Sequence, residues 1–454
     1  MDLSLLVPDR GARVPLAVQL ADGLRTAARA GAVRVGDRLP STRSLAADLG
    51  VSRTVTAAAY DQLLAEGWVA GRRGAGTFVV AVPPGVHRSA AGPRPDVAPD
   101  RTGTVDLRPG TPCVAALDRA AWRRAWRAAA DDPPDVVPDP VGLPAFHEAV
   151  VAHLMRHRGL PADPGTLVAT SGTTAAVAEL ARTLPRGARV AVEEPGYQRA
   201  VEALRAAGLD VVAVPVDGDG LIVDALPPGL AAVYCTPAHQ FPLGARLSAG
   251  RRVALVDRAR TEDFLVVEDD YDGELRYDVA PLPLLAALGP DVVVHLGTAS
   301  KLLTPTLGVG WLVAPPAVRD AVVAQRDRAG VRPARAGQRV FAALAAHGDL
   351  GRHLRRLRRE LAQRRRATVT AVAAAGRPVQ GDAAGAHVIV PLGSRAEEQA
   401  IIAAAAERGV VLDGLARHHH GPPAAAGVVL GYAGPSCADF DGALTIVTAV
   451  LRGP

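Results

Sequence analysis

The 454-residue sequence contains no asparagine and a single lysine; of its 51 basic residues, all but that one are arginine. Methionine, phenylalanine and tyrosine number 2, 6 and 6, against 46 glycines and 37 prolines. Such usage points to a coding bias that turns lysine into arginine wherever charge alone matters. The two side chains differ in chemistry, because a primary amine loses its proton and attacks a carbonyl whereas a guanidinium stays protonated. Lys301 is therefore a candidate for amine chemistry. The three cysteines, Cys113, Cys235 and Cys437, form no CxxC pair, which speaks against a disulfide framework or a zinc site and suits a reducing compartment. No run reaches the roughly 18 apolar residues of a membrane span, and MDLSLLVPDRGARVPL lacks the basic start and apolar core of a secretory signal. A net charge of +5 is too small by itself to mark a nucleic-acid binder. The expectation is a soluble, cytoplasmic chain of about two to four domains with no membrane partner.

The first 80 residues read as three helices and a hairpin. PLAVQLADGLRTAARAG places Leu16, Leu20, Leu24 and Ala27 at helical spacing and stops at Gly31. LPSTRSLAADLG offers Ser41 as the cap of a short helix ending at Gly50. VSRTVTAAAYDQLLAEG starts a third helix at Ser52, with Val55, Ala59, Leu63 and Leu64 expected on its buried side. The short turn around Gly50 makes the last two a helix-turn-helix, and WVAGRRGAGTFVV reads as two β runs around a glycine-rich turn, a wing. Ten arginines against seven acids put +3 of the charge here.

The run LPSTRSLAADLGVSRTVTAAAYDQLLAEGWVAGRRGAGTFV resembles the winged helix-turn-helix of GntR-family bacterial regulators. That resemblance implies a recognition helix in the major groove of double-stranded operator DNA. Arg43, Ser52, Arg53, Thr54 and Thr56 would meet phosphates or base edges, and Arg73 with Gly76 would sit at the wing. Hydroxyls and free N–H groups at a helix N-terminus suit phosphate, and arginine forks onto guanine.

Residues 81–104 are rich in Pro, Gly and Arg without periodicity, as a linker is. From 105 onward, short Val-rich runs alternate with Ala/Leu/Arg helices, the pattern of a mostly parallel sheet covered by helices, with a large subdomain to about 345 and a small one over 346–454. Ligands of such sheets sit beyond the carboxyl ends of the strands. Those ends read TSGTT (170–174), EEPGY (193–197), CTPAHQFPLG (235–244), EDDYDGELRY (268–277) and GTASK (297–301). In order and spacing they resemble the pyridoxal 5'-phosphate (PLP) site of fold-type I aminotransferases. The whole chain is similar to MocR-type regulators, in which a GntR winged helix is fused to an aminotransferase-like domain.

The resemblance implies a role for each residue. Lys301 would carry the cofactor as a Schiff base, Asp269 would pair with the pyridine nitrogen, and Tyr271 would donate to the phenolic oxygen. Tyr197 would stack on the ring. Gly172, Thr173 and Thr174, opening a helix, would receive the phosphate, with Thr298 and Ser300 adding hydroxyls. His239 or Gln240 occupies the loop where aminotransferases usually place an asparagine. Departures are also visible: Gly308 stands where an arginine normally forks the phosphate, and Val137 where a tyrosine reaches it across the dimer. Val429 stands where aminotransferases bind the substrate carboxylate, with Arg417 and Arg246 as candidate substitutes. If Gly308 occupies the arginine position, Gly308→Arg should tighten the cofactor, provided the backbone there does not require positive φ. The triplet His418, His419 and His420 reads as a surface loop, not a metal site, and HLRRLRRELAQRRR (353–366) as a helix with a Leu stripe and a solvated arginine face.

The implied protein is a head-to-tail homodimeric regulator, not a turnover enzyme, that senses an amino-containing metabolite or PLP itself. Its rivals are an aminotransferase that also binds DNA and a regulator whose large domain has lost PLP. For the DNA-binding helix, Arg53→Ala should cost about 1–3 kcal/mol of operator affinity if the guanidinium reads a base, or lower the salt slope by about one if it holds a phosphate. A gel-shift titration with affinity and slope unchanged would remove Arg53 from the interface.

Overall fold

The computed structural model describes residues 8–72, 75–81, 103–133, 139–277 and 282–453. Arg73, Val137 and nearly all of the expected linker lie outside the described residues. The chain divides into two units, Met1–Asp100 and Arg101–Pro454.

In the first unit, helix Leu16–Arg29 buries Leu20, Ala21, Leu24, Ala27 and Ala28. It is followed by Gly31, whose φ of 77° few other residues adopt. Ser41 caps helix Thr42–Asp48 by accepting from the Ser44 N–H at 3.0 Å. Ser52 caps helix Arg53–Ala65 through the Val55 N–H at 3.4 Å. Gly50, with φ 63°, makes the turn between them. The wing pairs Val69–Arg72 with Gly76–Val79 in antiparallel register.

The third helix buries Ala59 and Leu63 as expected, but its inward face is rotated away from Val55 and Leu64. Thr56, Ala59, Tyr60 and Leu63 are buried, at i, i+3, i+4 and i+7, while Leu64 is exposed. Thr56 tolerates burial because its hydroxyl donates to the Thr42 carbonyl at 2.8 Å and the Arg53 carbonyl at 3.0 Å. It ties the two helices of the motif together and is not available to DNA, which corrects its assignment as a contact residue.

The second unit is built on an eight-stranded sheet. From one edge its strands are Leu167–Thr170, Gly310–Val313, Val293–Thr298, Leu265–Asp270, Ala232–Cys235, Arg189–Glu194, Asp210–Asp217 and Gly220–Leu221. The five from Val293–Thr298 to Asp210–Asp217 are mutually parallel; Gly310–Val313 is antiparallel to both neighbours. Side chains alternate between the faces, as the pleat demands. Val190, Val192, Ala232, Tyr234, Val294 and Leu296 enter one apolar layer with helices Thr173–Ala181 and Gln198–Ala206. Ala191, Val233, Cys235, Val266 and Val293 enter the other, larger layer, which includes helices Pro144–Arg158 and Ala249–Glu262. Burial on both faces explains why these strands read as unbroken apolar runs.

A smaller three-stranded sheet joins His387–Leu392, Ala426–Gly431 and Asp413–Gly414. The arginine-rich segment lies in helix Asp349–Ala374, and its face is not all solvated. Arg364 is buried and donates to the carbonyls of Tyr432, Ala433 and Pro435 at 2.8–3.3 Å. Among the described residues no helix is long and apolar enough to cross a membrane.

Thr56→Val keeps the shape but leaves the Thr42 carbonyl without its donor, a loss of about 1 kcal/mol. Amide hydrogen exchange in helix Thr42–Asp48 of the full-length protein should quicken about fivefold. Exchange at the wild-type rate would show that the hydroxyl does not hold the two helices together.

Candidate functional site

The carboxyl ends of the parallel strands open into a cavity of about 570 Å³. Its wall includes Gly172, Thr173, Thr174, Tyr197, Asp269, Tyr271, Thr298, Ser300 and Lys301, brought together from four separate stretches of sequence. Lys301 follows strand Val293–Thr298, and its Nζ donates to the Gly110 carbonyl at 2.5 Å. Burial pushes the amine pKa down, while Asp272 and Asp269 pull it back up. A less basic amine is closer to the neutral form that attacks carbonyls.

Asp269 lies in strand Leu265–Asp270, in the middle of the sheet. Its Oδ2 accepts the Tyr234 hydroxyl at 2.5 Å; its buried Oδ1 has no hydrogen-bond partner. Burial pushes its carboxyl pKa up to about 7. The flanking acids are each matched. Glu268 accepts from the Leu285 and Ala286 N–H groups at 2.8 and 3.0 Å, and Asp270 is forked by Arg158 at 2.6 and 2.8 Å. Glu274 bonds His153 at 2.8 Å. A buried carboxylate oxygen without a donor is costly, so the open oxygen of Asp269 marks the place of an absent cationic or N–H group.

Opposite, helix Thr173–Ala181 begins at Gly172, whose φ of 118° brings the chain in from Thr170. A Cβ there would approach Thr298 Oγ1 at 3.6 Å and Ser300 Oγ at 3.9 Å. The Thr298 hydroxyl donates to Ser300 Oγ at 2.9 Å. Free N–H groups and hydroxyls gathered at a helix start form an anion cradle. The Tyr197 hydroxyl lies 3.1 Å from Thr174 Oγ1, and its ring meets Phe241 edge-on at 5.9 Å.

His239 is not part of the wall. It is buried behind Tyr271, its Nδ1 2.9 Å from Asp272 Oδ2 and 3.1 Å from the Tyr271 hydroxyl. It therefore orients wall residues instead of facing the cavity. Gln240 also turns away, its amide donating to the Pro195 and Phe241 carbonyls at 2.9 and 2.7 Å. Val429 is buried in a cluster with Ile389 and Leu415.

Arg417 does line the cavity, ion-paired to the buried Asp413, whereas Arg246 does not, pairing instead with Asp382 at 3.6 Å. The histidine triplet is no surface loop. His418 is buried against the cavity, His419 bonds Glu194 at 2.7 Å, and the His420 ring donates to the Glu193 carbonyl at 2.9 Å. No group of three or more His, Cys, Asp or Glu among the described residues is arranged to hold a metal.

Several residues escaped sequence reasoning: the buried Tyr234 bonded to Asp269, and on the wall Arg108 paired to Asp106 at 2.6 Å, Arg199, Asp272 and His387. Asp272 alone left a signal, as the fourth acid of EDDYD.

In the first unit Arg43, Ser52, Arg53, Thr54 and Gly76 are all exposed. Arg38, not anticipated, bridges the wing at Phe78 and lies 2.9 Å from where a Gly76 Cβ would be.

A winged helix-turn-helix unit and an aminotransferase-type unit with a lysine at its strand ends define the class: a DNA-binding regulator with an enzyme-like domain. The aminotransferase class I and II family matches residues 104–418, and the gntR family of bacterial regulatory proteins matches residues 16–79. The HTH-type pyridoxine biosynthesis transcriptional regulator PdxR of Corynebacterium glutamicum is 35% identical over 429 residues, 91% of either chain. The probable rhizopine catabolism regulatory protein MocR of Rhizobium meliloti is 32% identical over 458 residues, 95% of this chain and 92% of that one. In fold, the second unit resembles an archaeal alanine:glyoxylate aminotransferase, with TM-score 0.72, 24% identity, and coverage of 77% of this chain and 91% of that one. The chain belongs to the MocR-type transcriptional regulators, DNA-binding proteins whose second domain has the aminotransferase fold, a fold that implies a PLP-binding domain.

Gly308 does not line the cavity, and its φ of 61° and ψ of 40° are left-handed. The proviso attached to Gly308→Arg therefore fails. The substitution should cost about 1–2 kcal/mol of stability and leave cofactor affinity unimproved. Thermal unfolding beside a PLP titration checks this; a tighter cofactor with no loss of stability would show that the left-handed turn is not needed.

Proposed function

We propose that the second unit holds PLP through Lys301 and that an amino-containing effector, or PLP itself, acts there to change how the winged unit engages operator DNA. The protein would work in the cytoplasm as a head-to-tail homodimer, as its resemblance to the family implies. The observation that carries the cofactor reading is the open Oδ1 of Asp269, buried in the same cavity as the Lys301 amine. That oxygen suits a protonated ring nitrogen, and the cradle at Gly172, Thr173 and Thr174 suits a phosphate. When bound, the cofactor supplies an electron-poor ring and a carbonyl that exchanges one amine for another.

The chain's own residues then have separable tasks. Asp269, held by Tyr234, fixes the ring end; Tyr271, backed by His239, offers a hydroxyl; Thr298 and Ser300 supplement the helix start. Burial lowers the Lys301 pKa and so favours the neutral amine, against the pull of Asp272 and Asp269. Arg199, exposed on the wall, adds a positive charge to the cavity. In the winged unit, Arg43, Ser52, Arg53 and Thr54 face outward for DNA, with Gly76 and Arg38 at the wing base.

Borohydride treatment of the PLP-supplied protein should add the reduced cofactor to one peptide containing residue 301. Lys301→Arg should carry no such mass, keep basal operator binding and lose the effector response, because arginine keeps the charge but offers no free amine. Wild-type protein without added mass, together with an arginine variant that regulates normally, would leave the large unit as a scaffold.

A further inference from the structure

Two buried carboxylate oxygens beside the cavity lack a donor: Oδ1 of Asp269 and Oδ1 of Asp272. A ring nitrogen would satisfy one of them. Asp272 is only 3% exposed, lines the cavity, and gives its other oxygen to His239 Nδ1 at 2.9 Å. The space behind it is built to a close tolerance. A Cβ on Gly385 would fall 2.6 Å from Asp272 Oδ2 and 2.3 Å from His239 Cε1, so only glycine fits there. His239 thus holds Asp272 from behind and leaves Oδ1 as the open atom. Its charge also reaches Lys301, whose amine burial drives toward neutrality and Asp272 draws back.

Two of the three arginines on this wall are already committed, and the third, Arg199, is exposed. Arg108 is forked onto Asp106 and Arg417 onto Asp413, so neither stands open for a carboxylate. The strand position of Val429 is apolar and buried. We propose that Asp272 Oδ1 is the docking point for the ammonium group of the effector, so that this site selects a primary amine as a cation and does not require a carboxylate on it. The proposal rests on the reading that the cofactor is held through Lys301, which leaves Asp272 unclaimed by the ring. His239 acts as a positioning residue for Asp272.

The test uses full-length protein supplied with PLP and reduced with borohydride, which blocks covalent exchange and leaves docking alone to be measured. Mass spectrometry reports whether the cofactor is attached. Propylamine is then titrated by saturation-transfer NMR, with 1-propanol as the uncharged analogue of similar shape. The wild type should prefer propylamine to the alcohol by at least about tenfold, and Asp272→Asn should weaken propylamine about 10- to 100-fold, the range of a charge-assisted hydrogen bond, with cofactor mass retained. Equal propylamine binding in both proteins, or equal binding of amine and alcohol by the wild type, overturns the proposal. Loss of cofactor mass in Asp272→Asn alone also overturns it, by making Asp272 a cofactor residue. If the wild type carries no cofactor mass, the reading of Lys301 fails separately, and the same propylamine comparison on unreduced protein still decides the role of Asp272. Should Asp272→Asn not fold, the wild-type preference for amine over alcohol decides alone.

Discussion

A carboxylate buried in the middle of a parallel sheet with one oxygen left over sets the terms for the whole second unit. Asp269 sits near the end of its strand, and Tyr234 from the neighbouring strand can satisfy only Oδ2. Several of its neighbours satisfy the competing acids. Arg158 reaches across from helix Pro144–Arg158 to take Asp270, His153 of the same helix takes Glu274, and two backbone N–H groups take Glu268. Five acids are packed into seven residues, and the fold matches three of them completely. The two that stay half-open both border the cavity, which is where an unsatisfied buried charge is useful instead of merely costly.

The lysine stands to this arrangement as the acids do. Every other basic residue of the chain is arginine, as at Arg364, whose Nη1 reaches three carbonyls while Nε donates to Glu360. At position 301 the amine, unlike a guanidinium, can lose its proton, and burial favours that state. The bias of the composition thus singles out one amine that a more ordinary sequence would hide among dozens of lysines.

What the sequence made legible was whatever depends on neighbours along the chain. Ser41 and Ser52 announce helix starts because a cap bonds three residues ahead, and the strand ends around Asp269 and Lys301 follow from runs of valine that stop. What it hid depends on partners far away. Thr56 reads as an exposed hydroxyl at a helix start until the Thr42 carbonyl is seen beneath it. The histidine triplet reads as a loop until Glu194, more than 200 residues earlier, is found against it. Nothing along the chain marks Tyr234 as the partner of Asp269, or Gly308 as a left-handed turn. His239 sits in the right loop, yet only packing decides that it faces Asp272 and not the cavity.

The bonds from His419 and His420 to Glu193 and Glu194 have one more consequence. The segment carrying Arg417 and His418 leaves the small sheet at Asp413–Gly414 and is fastened to the end of a strand of the large one. The cavity therefore works like a caliper whose two jaws belong to different sheets, with the histidines as the screw between them. The width of the cavity is thus set by how the two sheets are held against each other at this edge.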